Sequence, residues 1–455
     1  MLYLQLYNEI KQRILQGQLN PGEKLASKRQ MAKDRGVSLN TITASLDQLA
    51  AEGYIEAIQR KGYFVLSQKL SLKEPNQWQL SEIETESQPA IDWRYKGVDP
   101  EFPVATWKKI TMECLNQDAR YLTEKGSKLG EHHLRETIAT YLWNAKGIKA
   151  SPSHIIIGSS TENLLLLLVK LIGKAKIGVE DPGFHRWGDF LKANQIEQIP
   201  IELDQEGANP SPTDKKEMDL LYVTPSYQFP TGSIMTIGRK QELLEWANQD
   251  DKWIIEDEYN GEFRYQGKPI PPLKAIDSHD HVIYLQSFSS LISPALRISF
   301  ILLPDSLLQK FKEYPYYFSC PVPRLTQNVL AQFMAGGHFT RHVNRMRRKY
   351  AKKRQLLEEW AKNFDNLKIV GTNAGLHLLL EIHATTLSES KIVEIAKKNS
   401  MALSPLADYE LNKKRRPASL VVGYARADFN ELEAGMKLLE EILNLKKREL
   451  SDHND

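Results

Sequence analysis

Three short stretches of the chain carry side chains whose types and spacing could do chemistry together. Trp253-Ile254-Ile255-Glu256 reads as a β-strand, and Asp257 follows at its carboxyl end. Open α/β sheets bind ligands at the carboxyl ends of their strands, and a carboxylate there can pair with a protonated pyridine nitrogen. Ser287-Phe288-Ser289-Ser290 follows a second strand pattern, and Arg297 comes a few residues later. Serine hydroxyls beside a guanidinium suit a phosphate. Gly158-Ser159-Ser160-Thr161 precedes an apolar helical run, whose first N–H groups and dipole could hold that same phosphate. An acid for a ring nitrogen and a cradle for a phosphate suggest a pyridoxal-phosphate site. Taken singly each feature is weak. An Asp after a strand is more often a cap or turn residue, and a Gly-Ser-Ser-Thr run more often just starts a helix.

The elements that must position these groups alternate. Strand patterns fall at 155–157, 177–179, 220–223, 253–256, 282–285 and 299–303, with helical stretches such as 162–171 and 239–247 between them. This alternation predicts an α/β core with a mostly parallel sheet. After about residue 340 a long basic helix leads to a smaller α+β region with strands near 375–382 and 419–423.

Residues 1–66 read differently, as three helices and a hairpin. Leu6, Ile10 and Ile14 recur at helical spacing, and Asn20-Pro21-Gly22 breaks that helix. Ser27 can cap a second helix that Gly36 closes, and Ser38 a third, with Ile42, Leu46 and Leu49 facing inward until Gly53. Residues 54–57 and 63–66 suggest two strands joined by the turn Gln59-Arg60-Lys61-Gly62. Two helices across a short turn make the third, over 38–50, a recognition helix. Its first turn offers Ser38, Leu39, Asn40, Thr41 and Thr43 to base edges and phosphates. This stretch holds nine Lys or Arg against six Asp or Glu, with cations at Lys28-Arg29, Lys33, Arg35 and the turn Arg60-Lys61.

Residues 67–91 are polar, weakly periodic and read as an interdomain linker. Residues 92–455 form the second domain. Net charge over the 455 residues is only +3, so any basic surface is local. The two cysteines, Cys114 and Cys320, have no metal-ligand or redox neighbours, which fits a reducing cytosol. The opening MLYLQLYNEIKQ is not a signal peptide, and the longest apolar run, near 164–169, is too short for a bilayer. The expectation is a cytoplasmic protein that does not engage membranes, with no bound metal.

The run LNPGEKLASKRQMAKDRGVSLNTITASLDQLAAEGYIEAIQRKGYFV resembles the GntR-type winged helix-turn-helix, matching it at Leu25, Ser27, Arg29, Val37, Ser38, Thr41, Leu49, Glu52, Gly53, Gly62 and Val65. Ala26 stands where that family usually has proline, and Leu39 where it usually has a DNA-contacting arginine. The segments GSKLGEHHLRETIATYL, IIIGSSTENLLLLL, VEDPGFHRWG, VTPSYQFPTG, IIEDEYNGEFRY and SFSSLISPALRIS resemble, in family order, the fold-type-I aminotransferase domain of the MocR subfamily of GntR regulators. The resemblance implies a winged helix joined to a large α/β and a small α+β subdomain, working as a homodimer on double-stranded DNA under a small-molecule effector. It implies that Ser27, Lys28, Arg29, Ser38, Leu39, Asn40, Thr41, Thr43, Arg60, Lys61 and Gly62 face DNA. It further implies that Asp257 meets the pyridine nitrogen, Tyr259 the phenolic oxygen and Phe184 the ring, while Ser159, Ser160, Ser287 and Arg297 surround the phosphate.

One departure decides the chemistry. The family motif ends in the lysine that forms the Schiff base, and here that position is Ser290. A hydroxyl cannot form an imine, nor act as a base for proton transfer at useful pH. No lysine lies between Lys274 and Lys310. Asp408 also stands where the family often places a carboxylate-binding arginine. Two readings of the pocket remain open: pyridoxal phosphate held noncovalently, or another effector or none. The rivals to a regulator are an active aminotransferase with an accessory domain, which Ser290 opposes, and a winged helix that meets a protein rather than DNA.

Overall fold

The structure, a computed structural model, describes residues 2–66, 89–95, 97–249, 251–267, 270–313, 318–371, 374–412 and 415–445. The chain divides into two compact units, Met1–Ser87 and Gln88–Asp455. Most of the expected linker, 67–88, lies outside the described residues. Its last residue belongs to the larger unit, because Ile91–Asp92 pairs in parallel with Met401–Ala402.

The smaller unit has the expected plan: helices α1 (Leu2–Leu15), α2 (Lys28–Arg35) and α3 (Leu39–Ala51), then strands β1 (Ile55–Ile58) and β2 (Gly62–Val65). Helix α1 stops at Leu15, five residues before Asn20-Pro21-Gly22, and Gly17 turns the chain at φ +71°. Ser27 and Ser38 are both N-caps, accepting from the backbone N–H of Gln30 and Thr41. Gly36 closes α2 in the left-handed conformation, which costs glycine little. The hairpin is offset by one residue from the sequence reading, with Ile55 opposite Val65 and Ile58 opposite Gly62. At its tip Arg60 adopts φ +63° and Gly62 φ +111°. Leu6, Ile10, Ile14, Ile42, Leu46, Leu49, Ile55 and Val65 close one apolar core.

In the larger unit eight strands form one sheet, in the spatial order 155–158, 299–302, 282–287, 253–258, 220–223, 177–181, 198–204 and 207–208. The five from 282–287 to 198–204 are parallel, while 299–302 and 207–208 run antiparallel to their neighbours. Runs such as Ile155–Gly158 and Leu220–Val223 are buried throughout because both sheet faces are covered. Alternate residues of one strand feed different cores: Ile155 and Ile157 join one cluster, Ile156 another. Strand Gln198–Asp204 gave no clear sequence signal. It carries Pro200 and polar residues, and it sits near the sheet edge, where both are tolerated. The basic helix, His338–Ala361, leads to a four-stranded antiparallel sheet of 367–370, 377–382, 418–423 and 404–405. Among the described residues no helix is long and apolar enough to cross a membrane.

Leu46 has no solvent exposure at the centre of the small core. Leu46→Ala is expected to cost about 2–5 kcal/mol. Hydrogen exchange should then rise across α1–α3 and leave the eight-stranded sheet unchanged.

Candidate functional site

Two surfaces carry the predicted site residues. On the smaller unit, Arg29, Ser38, Leu39, Asn40, Arg60, Lys61 and Gly62 are exposed, as is Ser27, while Lys28, Thr41 and Thr43 are half-buried. Helix α3 presents its N-terminal turn, and the β1–β2 turn brings Arg60 and Lys61 to the hairpin tip, where a wing lies. Several cations are engaged within the domain, among them Lys11, which donates to the Tyr7 hydroxyl at 2.6 Å and lies 3.2 Å from Glu52. Arg35 is held by both oxygens of Glu9 at 2.5 Å, so it is not part of the free basic surface. Lys28 stands 5.1 Å over the Tyr63 ring and 4.0 Å from Asp47.

On the larger unit, strand pairing aligns the phosphate residues. Gly158 lies opposite Ser299, and Ser299 opposite Ser287, so three adjacent strands end level. Gly158 lets strand and helix meet: a Cβ there would lie 2.6 Å from Leu164 Cγ. Ser159 and Ser160 follow directly, and the Ser160 hydroxyl caps helix Thr161–Ile172 by accepting from the Asn163 N–H. The Ser287 hydroxyl accepts from Ser299 Oγ at 3.0 Å and from the Ser289 N–H. Arg297 stands two residues before Ser299, exposed, in a left-handed turn, with no hydrogen-bond or ion-pair partner among the described residues.

Asp257 is the penultimate residue of strand Trp253–Glu258, inside it rather than beyond it. It pairs across to Leu285, two residues before Ser287. The Tyr222 hydroxyl donates to Asp257 Oδ2 at 2.5 Å. Withdrawal from water pushes the Asp257 carboxyl up to about 7, outweighing the Tyr222 hydrogen bond, and the neighbouring Glu258 charge adds to the rise. Glu180 is also pushed to about 7 by burial, although Thr224 Oγ1 donates to it at 2.6 Å. The Tyr259 hydroxyl is buried without a well-formed hydrogen bond. Its ring belongs to an aromatic cluster with Tyr95, Phe229 and His377. Phe184 joins that cluster edge-on to Phe229, with centroids 5.9 Å apart. These residues fit pyridoxal phosphate: an acid with one oxygen in use, an orphaned phenol, a guanidinium without a partner and a helix N-terminus beside two serines.

Ser290 lies half-buried in the turn after strand Val282–Ser287. Lys146 cannot replace the amine. Its Nζ is clamped 2.6 Å from Glu258 and 2.9 Å from Glu262. Glu258 follows Asp257 in the strand and so points to the opposite face. Glu258, Glu262, Lys146 and Arg347 line a cavity of about 830 Å³. Tyr222, Phe229 and His377 escaped the sequence reading. Tyr222 was recoverable from pairing, since it lies one strand over from Asp257, but the aromatic cluster joins residues 95 to 377 and needs the tertiary fold.

Comparison with known proteins settles the family. Residues 2–65 match the GntR family of bacterial regulatory proteins, and residues 95–416 match aminotransferase class I and II. The HTH-type transcriptional regulator YdeL of Bacillus subtilis (strain 168) is 36% identical over 447 residues, with 96% of each chain covered. The chain belongs to the HTH-type transcriptional regulators that join a GntR-family domain to an aminotransferase class I and II domain. The probable rhizopine catabolism regulatory protein MocR of Rhizobium meliloti is 28% identical, covering 96% of this chain and 93% of its own. Among solved structures, a kynurenine aminotransferase of Pyrococcus horikoshii superposes with TM-score 0.70 at 23% identity, covering 79% of this chain and 91% of the other. That likeness speaks for the fold alone. The chain is therefore an HTH-type transcriptional regulator with a fold-type-I aminotransferase-like domain.

The raised acids have a pH signature. A carboxyl whose folded pKa exceeds its unfolded value contributes stability that is complete below about pH 4 and is lost as pH rises through about 7. Asp257→Asn is expected to raise the thermal midpoint of the ligand-free protein at pH 8 and to leave it nearly unchanged at pH 4. Differential scanning fluorimetry across that range checks the sign.

Proposed function

We propose that the protein binds double-stranded DNA as a homodimer and that its aminotransferase-like domain, over 92–455, holds a small-molecule effector without transaminating it. On this reading residues 1–66 are the DNA-binding domain, 67–91 the linker, and the protein acts in the cytoplasm. The observation that carries it is Ser290 at the end of Ser287-Phe288-Ser289-Ser290. The resemblance places the imine-forming amine at that position, and a hydroxyl cannot take over that role.

The remaining contacts support holding. Pyridoxal phosphate would supply an electrophilic aldehyde and an electron-withdrawing ring, and binding it here would be noncovalent. Asp257 would hold the ring nitrogen's proton, with Tyr222 fixing the carboxylate's orientation. Tyr259 would donate to the ring's phenolic oxygen and Phe184 would shield the ring from water. Ser159, Ser160, Ser287 and Arg297 would bind the phosphate. An effector changes the winged-helix arrangement only if it binds the two arrangements with different affinity. Two paired winged helices would read two half-sites.

The functional test is a gel shift of the folded dimer on duplex DNA from upstream of its own coding sequence. A sequence-specific complex is expected at low salt, weakening steeply as salt rises. Reversing the charge at Arg29 and Lys61 should abolish it and leave the thermal midpoint in place. No sequence-specific complex from the folded wild-type dimer at low salt favours a protein partner instead. With pyridoxal phosphate, an amino acid and a 2-oxo acid, purified protein should give no transamination. Turnover would restore the aminotransferase reading.

A further inference from the structure

The base-reading face of α3 carries no cation. Leu39, Asn40, Ala44 and Asp47 are exposed and Thr43 is half-buried. Their spacing places them on one stripe of the helix. Ile42, Ser45, Leu46 and Leu49 are buried on the other side. None of the 13 residues of α3 is Lys or Arg. Leu39 is 46% exposed in the first turn, directly after the Ser38 cap. Burial in the domain core does not account for it.

Major-groove chemistry gives this stripe a preference. Guanine presents two acceptors, O6 and N7, which Arg and Lys match. Adenine presents an acceptor and a donor, which an amide matches. Thymine presents a 5-methyl group, which an apolar side chain covers. The stripe offers the amide of Asn40 and the apolar surfaces of Leu39, Ala44 and the Thr43 methyl. Asp47, at its far end, already accepts from the Tyr63 hydroxyl at 3.4 Å. Exposed cations sit elsewhere, including Arg29 and Lys33 on α2 and Arg60 and Lys61 on the hairpin tip. From there they can grip phosphates. A narrow A·T-rich minor groove also attracts arginine, and Arg60 is at the tip that would meet it.

We propose that α3 selects A·T base pairs, with Leu39 packed on thymine 5-methyl groups and Asn40 paired to adenine N6 and N7. Selectivity is thereby separated from grip: α3 reads bases without charge, and α2 and the wing supply the counter-charge. This inference rests on the DNA-binding reading above and names the kind of sequence that reading requires.

The experiment uses the full-length protein. Selection from a random duplex pool identifies its half-site, and fluorescence anisotropy at fixed salt then compares three forms of that site. The first is unmodified, the second carries uracil for thymine, and the third carries G·C for A·T. Selected half-sites are expected to be A·T-rich. Uracil should weaken wild-type binding about 4-fold per contacted methyl, and a G·C swap at the Asn40 position about 5- to 150-fold. Leu39→Ala should bind thymine and uracil duplexes equally. Leu39→Arg should move the preference at that position to guanine. Leu39 is exposed, so both variants should keep the wild-type thermal midpoint. A G·C-rich selected site, or equal wild-type affinity for thymine and uracil duplexes, overturns the proposal and leaves DNA binding standing. No binding to any duplex at low salt overturns both.

Discussion

Hydrogen-bonded register between strand ends is the constraint on which the larger domain's site depends. Strands 155–158, 299–302 and 282–287 end level, with Gly158, Ser299 and Ser287 opposite one another. A shift of one residue in that pairing would turn every side chain of the shifted strand to the other face. Gly158, Ser287 and the start of the capped helix would then no longer lie level at one end of the sheet. Asp257 is fixed by the same network through Leu285. These positions are set by backbone pairing within a sheet buried on both faces, not by the residue at position 290.

On the proposed reading the site keeps the groups that would hold the cofactor and has a hydroxyl, Ser290, where the resemblance places the amine. Asp257 carries one hydrogen bond, from Tyr222, and its raised pKa reflects a carboxylate short of a cationic partner. A protonated ring nitrogen would supply that partner and pull the pKa back down. Binding energy of that kind, with no reaction to drive, can shift a conformational equilibrium. The smaller unit's own charges are divided: α3 carries no Lys or Arg, and exposed cations lie on α2 and at the hairpin tip. Cations committed inside the small domain, Arg35 to Glu9 and Lys28 near Tyr63, confine the grip to fewer positions than the sequence suggests.

Much of this was legible in the sequence because it is local. Ser27, Gly36 and Ser38 marked their helix ends by cap chemistry that acts within three residues. Runs such as Leu220–Val223 announced buried parallel strands by being apolar throughout. Asp257, Ser287 and Ser159 were singled out from their positions near the ends of such runs, and strand pairing places Asp257 and Ser287 near the ends of adjacent parallel strands. What escaped was what depends on distant partners. Strand Gln198–Asp204 is held by its neighbour's pairing rather than by an apolar pattern. The helix α1 stop at Leu15 came earlier than the Pro-Gly breaker. Tyr222 became visible as the partner of Asp257 only through strand pairing, and the Tyr95, Phe229 and His377 rings meet only in three dimensions.

The central claim is that this pocket binds without forming an imine. Intact-mass measurement of the protein equilibrated with pyridoxal phosphate and treated with borohydride addresses it directly, alongside equilibrium dialysis of an untreated sample. The account predicts saturable binding by dialysis and an unmodified mass after reduction. A stoichiometric pyridoxyl adduct on one lysine of the larger domain would contradict it.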